Sequence, residues 1–180
     1  TEEFKEIMNG LFLIPLDQKK RGFRNFISSW DLQTGALTLL VDPGPKATIP
    51  DLIKALSRIG IAHLDYILLT HIHIDHAGGA GLLCREFPRA SVVCHQKAIK
   101  HLIDPSRLWE ASKKVLGPLT EVYGEIVPVG EERIFFAPEI GYGEQSIMCV
   151  ETPGHAAHHV SYIVGDVLFA GEVAGVFCDL

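Results

Sequence analysis

The order of predicted strands and helices predicts an α/β fold in which two β-sheets pack face to face with helices outside. Short apolar segments open the chain at close spacing, which is typical of an antiparallel meander. Strands then alternate with helices, which implies strands joined by crossovers. Strand patterns return from residue 120 onward. With 180 residues, 47% of them hydrophobic, the chain is long enough for one domain with a sizeable core.

The first third of the chain contains three predicted strands and one predicted helix. The strands are expected over residues 11–16, 23–32 and 36–41. The helix is predicted over residues 49–59, because its apolar residues recur at helical spacing and Gly60 is a natural stop.

The middle third alternates between strands and helices. Strands are expected over residues 65–70 and 91–94, and a helix over residues 79–87, before Pro88. Residues 96–116 form a helical region that is interrupted at Asp104-Pro105. Its pattern fits a surface helix pair better than a lid over a site.

The last third is predicted to consist of strands. They are expected over residues 121–127, 133–137, 146–151, 159–164 and 167–170. Gly165-Asp166 between the last two strands indicates a hairpin turn.

Four metal-ligand residue types fall within six positions directly after the buried strand at 65–70. They are His71, His73, Asp75 and His76. In an extended chain the first three point to one side, while Ile72 and Ile74 anchor in the core. His76 joins them only if the chain turns at Asp75, which Gly78-Gly79 favours, and Asp75 would then cap the following helix. Solvated loop histidines are the alternative, but imidazoles and a carboxylate so close together indicate a zinc, iron or manganese site.

Three more strand ends carry polar side chains. His155 lies in a Pro-Gly turn and is the best candidate for a third histidine ligand. Glu172 follows a buried strand and either binds metal or is an exposed loop residue. His158 and His159 either face the cleft or are hydrogen-bonded structural histidines. Asp42 either forms a turn or orients a metal ligand by hydrogen bonding to it.

Charge and cysteine usage limit the function classes. The net charge is −6, from 16 basic and 22 acidic residues, without a basic patch, so a nucleic-acid partner is not expected. The cysteines lie among apolar residues without a C-x-x-C pair, which favours free thiols in a reducing compartment. They are Cys84, Cys94, Cys149 and Cys178. With a charged N-terminus and no apolar run of roughly 18 residues, a cytoplasmic protein without membrane attachment is expected.

Together the strand-end motifs resemble those of the metallo-β-lactamase superfamily. They are V-D-P-G at 41–44, T-H-I-H-I-D-H-A-G-G at 70–79, T-P-G-H at 152–155 and L-F-A-G-E at 168–172. The resemblance covers the chain from about residue 11 to residue 172. It implies an αββα sandwich of two mixed sheets with helices outside and a metal site at one edge of the sheets.

Position by position, the resemblance implies a site for two metal ions, with zinc expected and iron or manganese as alternatives. The first metal would be bound by His71, His73 and His155, and the second by Asp75 and His76. Glu172 stands where the family usually has an aspartate that bridges the two metals. Because its side chain is one methylene longer, it would bridge with a shifted geometry, bind one metal, or bind neither. The best-known β-lactamases of the family carry a cysteine there, which argues against that activity.

The C-terminal end departs from the family pattern. The family's final histidine comes well after the bridging carboxylate, whereas this sequence ends at Leu180, eight residues after Glu172. We therefore expect one domain over residues 1–180 that lacks its last part. The second metal would then lack one ligand, and would be weak, absent or completed by a neighbouring molecule.

The resemblance implies a hydrolase that uses a metal-bound hydroxide on a small ester, thioester or lactone, as hydroxyacylglutathione hydrolases and lactonases do. Asp75 would bind metal and accept a hydrogen bond from the attacking water. A mononuclear iron oxidoreductase similar to persulfide dioxygenases is the alternative, whereas flavodiiron proteins have glutamate where His73 stands. An inactive binding protein on the same fold is a third possibility. The oligomeric state stays open, with a homodimer among the options.

Overall fold

Two β-sheets packed against each other form the framework of the protein. The structure is a computed structural model that describes residues 3–18, 20–22 and 26–175. In this part of the chain the first sheet has seven strands, in the order β1 (Lys5–Met8), β2 (Leu11–Leu16), β3 (Ile27–Gln33), β4 (Thr38–Val41), β5 (Tyr66–Leu68), β6 (Ser91–Val93) and β7 (Ile134–Phe135). The second sheet has the order β11-β10-β9-β8, formed by β8 (Glu139–Tyr142), β9 (Gln145–Glu151), β10 (Val160–Val164) and β11 (Val167–Phe169). The predicted two-sheet α/β fold is confirmed.

Strand pairing brings three chain segments to one edge of the first sheet. Strands β1 to β4 form the predicted antiparallel meander, and β4 to β7 run parallel. Val41, Leu68 and Val93 are in register at the carboxyl ends of β4, β5 and β6. The segments that follow these strands therefore leave the sheet side by side.

The helices connect the parallel strands and are short. They are α1 (Ile49–Ile59), α2 (Ile74–Ala77), α3 (Ala80–Glu86), α4 (Ile99–Ile103), α5 (Ser106–Leu116) and α6 (Leu119–Tyr123), with 3-10 turns at Lys46–Thr48 and Glu131–Arg133. Helix α1 has the predicted bounds, and Gly60 ends it in the left-handed conformation, with φ +94°. The predicted break at Asp104-Pro105 separates α4 from α5.

The core lies on both faces of the first sheet, which explains its nearly continuous apolar strands. In β4, Leu39 and Val41 belong to the cluster between the two sheets. Leu40 points to the other face, where it belongs to one cluster with Leu52 and Leu56 of α1. Because successive side chains alternate between faces, a strand such as β4 that is buried on both sides has few positions for polar side chains.

The second sheet is less covered on its outer face. Met148, Val150 and Leu168 are exposed there, while Ile147 and Phe169 point inward. Among the described residues, no helix has the length and apolarity needed to cross a lipid bilayer. Cys84 and Cys94 are buried free thiols and Cys149 is half-buried, as expected, whereas Cys178 lies outside the described residues.

The predicted strand over residues 121–127 is wrong. Helix α6 begins directly after Pro118 and ends at Gly124. Its buried residues Thr120 and Tyr123 lie three positions apart, as a helix requires, and Tyr123 packs with Trp109. Valine and tyrosine in this segment favour a strand locally, but contacts with α5 decide the outcome.

Two strands were not predicted, and one was predicted too long at its start. Strands β1 and β8 are the edge strands of their sheets, and their largely exposed side chains leave little apolar alternation. Strand β3 begins at Ile27, so the first residues of the predicted strand 23–32 precede it, and residues 23–25 lie outside the described part.

Tyr162 connects the two sheets close to the carboxyl ends of β5 and β6. It is fully buried, and its hydroxyl lies 2.9 Å from the Leu69 carbonyl and 3.0 Å from the Val93 carbonyl. We expect Tyr162→Phe to lower the free energy of unfolding by about 1–2 kcal/mol, because a buried hydrogen bond is lost. Urea denaturation measures this.

Tyr142→Phe is the matched control for Tyr162→Phe. The Tyr142 hydroxyl is buried and has no hydrogen-bond partner within the described residues. Its removal is therefore expected to leave stability unchanged or to raise it. Equal losses in the two variants would contradict the role given to the Tyr162 hydroxyl.

Candidate metal centre

The segment after β5 carries the histidine cluster and is anchored by its isoleucines, as predicted. Ile72 and Ile74 are 3% and 2% exposed. Ile74 belongs to a small buried cluster with Trp109 of α5 and Tyr123 of α6, so these two helices pack against the histidine segment. The helical region 96–116, which was predicted to be a surface helix pair, therefore also has a buried residue, Trp109, that packs against the site segment.

The predicted turn occurs one residue earlier than expected, and the expected cap is wrong. The backbone is extended at His73, and α2 begins at Ile74, so Asp75 lies in the first turn of the helix. His73 is the residue that precedes α2, and no side chain makes a capping hydrogen bond there. This early turn brings His76 back toward the other ligand residues.

Four of the predicted site residues converge on one point. One ligand atom from each of His71, His73, His155 and Glu172 lies within 4.8 Å of all the others. His155 Nε2 is 3.0 Å from His73 Nδ1 and 2.6 Å from Glu172 Oε2. Donor atoms about 2.0–2.1 Å from a tetrahedral zinc ion are roughly 3.3 Å apart, so this spacing fits such an ion.

The buried His71 ring is oriented by a directed hydrogen-bond chain. The Thr70 hydroxyl donates to Asp42 Oδ2 over 2.6 Å, so its oxygen accepts from His71 Nδ1, 3.0 Å away. His71 Nδ1 therefore carries the ring proton, and Nε2 keeps its lone pair. That Nε2 atom is buried without a hydrogen-bond partner among the described residues. Such an orphaned acceptor at the centre of the cluster fits a metal ligand.

Asp42 holds two further groups of the site. Its Oδ1 accepts from the Thr70 backbone N–H over 2.8 Å, and its Oδ2 lies 3.1 Å from His76 Nδ1. The residue has φ +49°, a left-handed conformation uncommon outside glycine. Of the two interpretations of Asp42, the structure therefore supports the one in which it orients the histidine segment.

Glu172 reaches both halves of the cluster. Its Oε2 is 3.7 Å from His71 Nε2, on the side of the four converging residues. Its Oε1 is 3.6 Å from His76 Nε2, which in turn lies 3.9 Å from Asp75 Oδ2. The longer side chain thus places one oxygen on each side.

Electrostatics favour neutral imidazoles on one side of the site and charged groups on the other. Burial lowers the pKa values of His71 and His73, and neighbouring histidines lower them further, so both rings offer lone pairs at neutral pH. Burial opposes charge on His76, but the carboxylates of Asp42 and Glu172 raise its pKa to about 10. The same contact with His76 lowers the pKa of Glu172.

His158 and His159 both make backbone hydrogen bonds at the site. His158 Nε2 accepts from the Ile72 N–H over 3.2 Å, and burial with nearby histidines lowers its pKa to about 4. His159 is buried, and its Nε2 accepts from the Glu172 N–H over 3.1 Å. The buried His159 therefore fits the interpretation of a hydrogen-bonded structural histidine, and the half-buried His158 makes one bond of this kind.

Sequence reasoning missed the hydroxyl groups that orient the ligand residues. Thr70 hydrogen-bonds to Asp42 and Thr152 to His159, and Ser161 donates to the carbonyl of Ala170, two residues before Glu172. Two of them could have been found from the sequence, because Thr70 directly precedes His71 and Thr152 is the first residue of the T-P-G-H motif.

Comparison with known proteins agrees with this geometry. The family model of the metallo-β-lactamase superfamily matches residues 23–179. A metallo-β-lactamase fold-containing protein of Sulfurisphaera tokodaii is 34% identical over 148 residues, covering 78% of this chain and 54% of that protein. A hydroxyacylglutathione hydrolase of Aeromonas salmonicida is 29% identical over 145 residues, covering 77% of this chain and 45% of that protein. The chain thus spans about half the length of these curated relatives.

A solved structure is also similar. The crystal structure of an archaeal metallo-β-lactamase superfamily protein from Sulfolobus tokodaii gives a TM-score of 0.81 at 31% sequence identity. The match covers 94% of this chain and 66% of that chain. Because the family model spans most of the sequence and all the motifs that carry the converging side chains, this protein belongs to the metallo-β-lactamase superfamily.

Proposed function

We propose that the protein is a metal-dependent hydrolase of small esters, thioesters or lactones, with two zinc ions. The fold implies a divalent metal, and the donor set of three imidazoles and a carboxylate suits zinc. The observation that carries the dinuclear assignment is Glu172, whose two oxygens face the two halves of the cluster. A bound zinc ion supplies Lewis acidity and lowers the pKa of a coordinated water from 15.7 to about 7.

In this proposal the four converging residues would hold the first ion, and Asp75, His76 and the other oxygen of Glu172 would hold the second. Asp75 also accepts a hydrogen bond from the attacking water and so orients it toward the substrate. Asp42 keeps His76 Nδ1 in its hydrogen bond, which directs Nε2 to the second ion. The proton on His76 Nε2 must leave when metal binds there, so metal affinity falls at acid pH.

A cavity beside the proposed second ion supports a small-molecule substrate. Its volume is about 710 Å³, and it borders Asp75, His76 and Glu172. Trp30 and Phe169 contribute to its apolar walls. A cavity of this size suits a small ester or thioester with an apolar part. The hydroxyacylglutathione hydrolase among the relatives supports the thioester class.

A mononuclear iron oxidoreductase is the second candidate. The observation that favours it is that, within the described residues, a single group of three or more ligand residues converges tightly. Asp75 and His76 lie outside this group. If only this group holds metal, the site resembles a one-iron centre more than a dinuclear hydrolase.

Metal content separates the two candidates. We expect elemental analysis of the purified protein to give two zinc ions per chain, and Glu172→Ala to retain one or none. Hydrolysis of a thioester substrate should fall in parallel. One iron per chain that is insensitive to Glu172→Ala, together with O₂ consumption, would reject the hydrolase. Glu139→Ala, at an exposed position on β8, is the control and should change neither metal content nor hydrolysis.

A further inference from the structure

Glu172 is the last residue of a tight turn whose two ends are hydrogen-bonded to the buried residues His159 and Ser161. The turn is Ala170-Gly171-Glu172, directly after β11. The Glu172 N–H donates to His159 Nε2 over 3.1 Å. The Ala170 carbonyl accepts from the Ser161 hydroxyl over 3.1 Å. Whatever fixes His159 and Ser161 therefore fixes the backbone from which the Glu172 side chain projects.

Thr152 connects these two residues. Its hydroxyl oxygen lies 2.8 Å from His159 Nδ1 and 3.1 Å from the Ser161 hydroxyl oxygen. Thr152 opens the T-P-G-H turn that carries His155. His159, Thr152 and Ser161 thus form a continuous hydrogen-bonded clamp around residues 170–172, and the clamp joins this turn to the turn of His155.

The direction of every hydrogen bond in the clamp is determined from both ends. A backbone N–H can only donate, so His159 Nε2 is the acceptor and Nδ1 carries the ring proton of the neutral imidazole. From the other end, Ser161 gives its proton to the Ala170 carbonyl, so its oxygen must accept from Thr152. Thr152 then has no proton left for His159 and accepts from Nδ1. The two deductions agree on one neutral tautomer.

Packing of the turn against the imidazole requires a glycine. Gly171 has φ +59°, which side-chain-bearing residues rarely adopt. A Cβ at this position would lie 2.6 Å from His159 Nε2 and 2.9 Å from Thr70 Cβ. The turn therefore lies directly on His159 and on the residue that precedes His71, with no room for adjustment in that direction.

We infer that His159 is a positioning residue for Glu172: through the clamp with Thr152 and Ser161 it sets where the carboxylate stands between the two halves of the metal site. Both of its ring nitrogens are already used in hydrogen bonds, so it neither binds metal nor contacts substrate. The inference rests on the proposed role of Glu172 as a metal ligand. It adds that three side chains in or next to strands β9 and β10 determine the position of this glutamate.

Two substitutions of His159 separate positioning from simple loss of the ring. In His159→Gln the amide oxygen reaches about as far as Nε2 and can accept from the Glu172 N–H. In His159→Asn the shorter amide reaches Thr152 only. We expect zinc affinity of the metal-free full chain, measured by competition with a chromophoric chelator, to fall about 10-fold to 100-fold for His159→Asn and to stay within about threefold for His159→Gln.

A double-mutant cycle tests whether the effect passes through Glu172. In the Glu172→Ala background, His159→Asn should cause no further loss of zinc affinity. An undiminished further loss, or no loss from His159→Asn alone while Glu172→Ala weakens binding, would overturn the inference but keep Glu172 as a ligand. If Glu172→Ala leaves zinc affinity unchanged, the ligand proposal fails and the inference falls with it.

A second variant keeps the test valid if His159→Asn does not fold, which circular dichroism and thermal unfolding of the metal-free protein reveal. Ser161→Ala removes the hydrogen bond to the Ala170 carbonyl and the acceptor of the Thr152 hydroxyl, but it leaves the bond between His159 and the Glu172 N–H in place. We therefore expect a smaller loss of zinc affinity in the same direction. Ser112→Ala removes a hydroxyl bonded to the Leu108 carbonyl within α5, and is the matched control. Equal effects of the two serine variants would overturn the inference.

Discussion

Asp42→Ala is expected to lower the kcat/KM of the proposed thioester hydrolysis about 100-fold and to weaken binding of the proposed second metal ion by a similar factor. Removal of the carboxylate leaves three donors without their acceptor: the Thr70 N–H, the Thr70 hydroxyl and His76 Nδ1. His76 then loses the bond that directs Nε2 toward the site. Through Thr70, His71 loses the partner that fixes its tautomer. The measurement is steady-state kinetics together with zinc stoichiometry after dialysis.

Asp42→Asn distinguishes the need for an acceptor from the need for a side chain of this size. Asparagine tolerates the left-handed conformation that Asp42 adopts, so the backbone is not the difficulty. Whichever way the amide is turned, however, its NH₂ group faces at least one donor. We therefore expect Asp42→Asn to lose nearly as much activity as Asp42→Ala. Full activity in Asp42→Asn would show that the acceptor role assigned to Asp42 is wrong.

Elements with strong periodicity could be predicted from the sequence almost to the residue. Helix α1 satisfies the helical period, begins next to Pro50 and ends at Gly60, so local and tertiary preferences agree. Strands β5 and β6 are apolar because both faces are buried. The edge strands β1 and β8 have no such pattern, since one strand neighbour and much of the core contact are absent.

The candidate site was predictable in its residue types and only partly in its geometry. Motifs at strand ends identify His71, His73 and His155. Parallel pairing of β4 and β5 brings the segment of His71 and His73 next to Asp42, whereas His155 follows β9 of the antiparallel second sheet. The orientation of each ring depends on hydroxyl and carboxylate groups that are distant in sequence, such as Asp42 for Thr70. In the sequence these partners look like any turn or strand residue, so their hydrogen bonds to the site can be identified only in the folded structure.

Asp31 is a buried carboxylate outside the converging ligand group, and we expect it to lower the stability of the fold at neutral pH. It lies in the interior of β3, fully buried, and one of its oxygens accepts from Gln33 Nε2 over 3.2 Å. The other oxygen has no hydrogen-bond partner among the described residues. Burial raises the pKa of Asp31 to about 6, against the smaller lowering effect of Gln33. The folded chain therefore keeps Asp31 protonated up to about pH 6.

The sign of the resulting pH dependence follows from linkage. The unfolded pKa is 3.8 and the folded value about 6, so between these values the folded state binds more protons. Stability is therefore highest below pH 3.8 as far as this group is concerned, and it falls as the pH rises to about 6. This upward shift of the Asp31 pKa lowers the free energy of unfolding by about 3 kcal/mol, and the whole loss is present at neutral pH.

Asp31→Asn should remove this loss, because the amide keeps an acceptor for Gln33 and never ionises. We expect the variant to be up to about 3 kcal/mol more stable than the unaltered protein at pH 7.5, and nearly equal to it at pH 4, by urea denaturation. Subtracting the two curves cancels the titration of the histidine cluster, which both proteins share. Asp51→Asn, at an exposed position on α1, is the control for an aspartate replacement. A stability difference that does not change with pH would show that Asp31 is not protonated in the folded state, and that a partner for its second oxygen stabilises the charge.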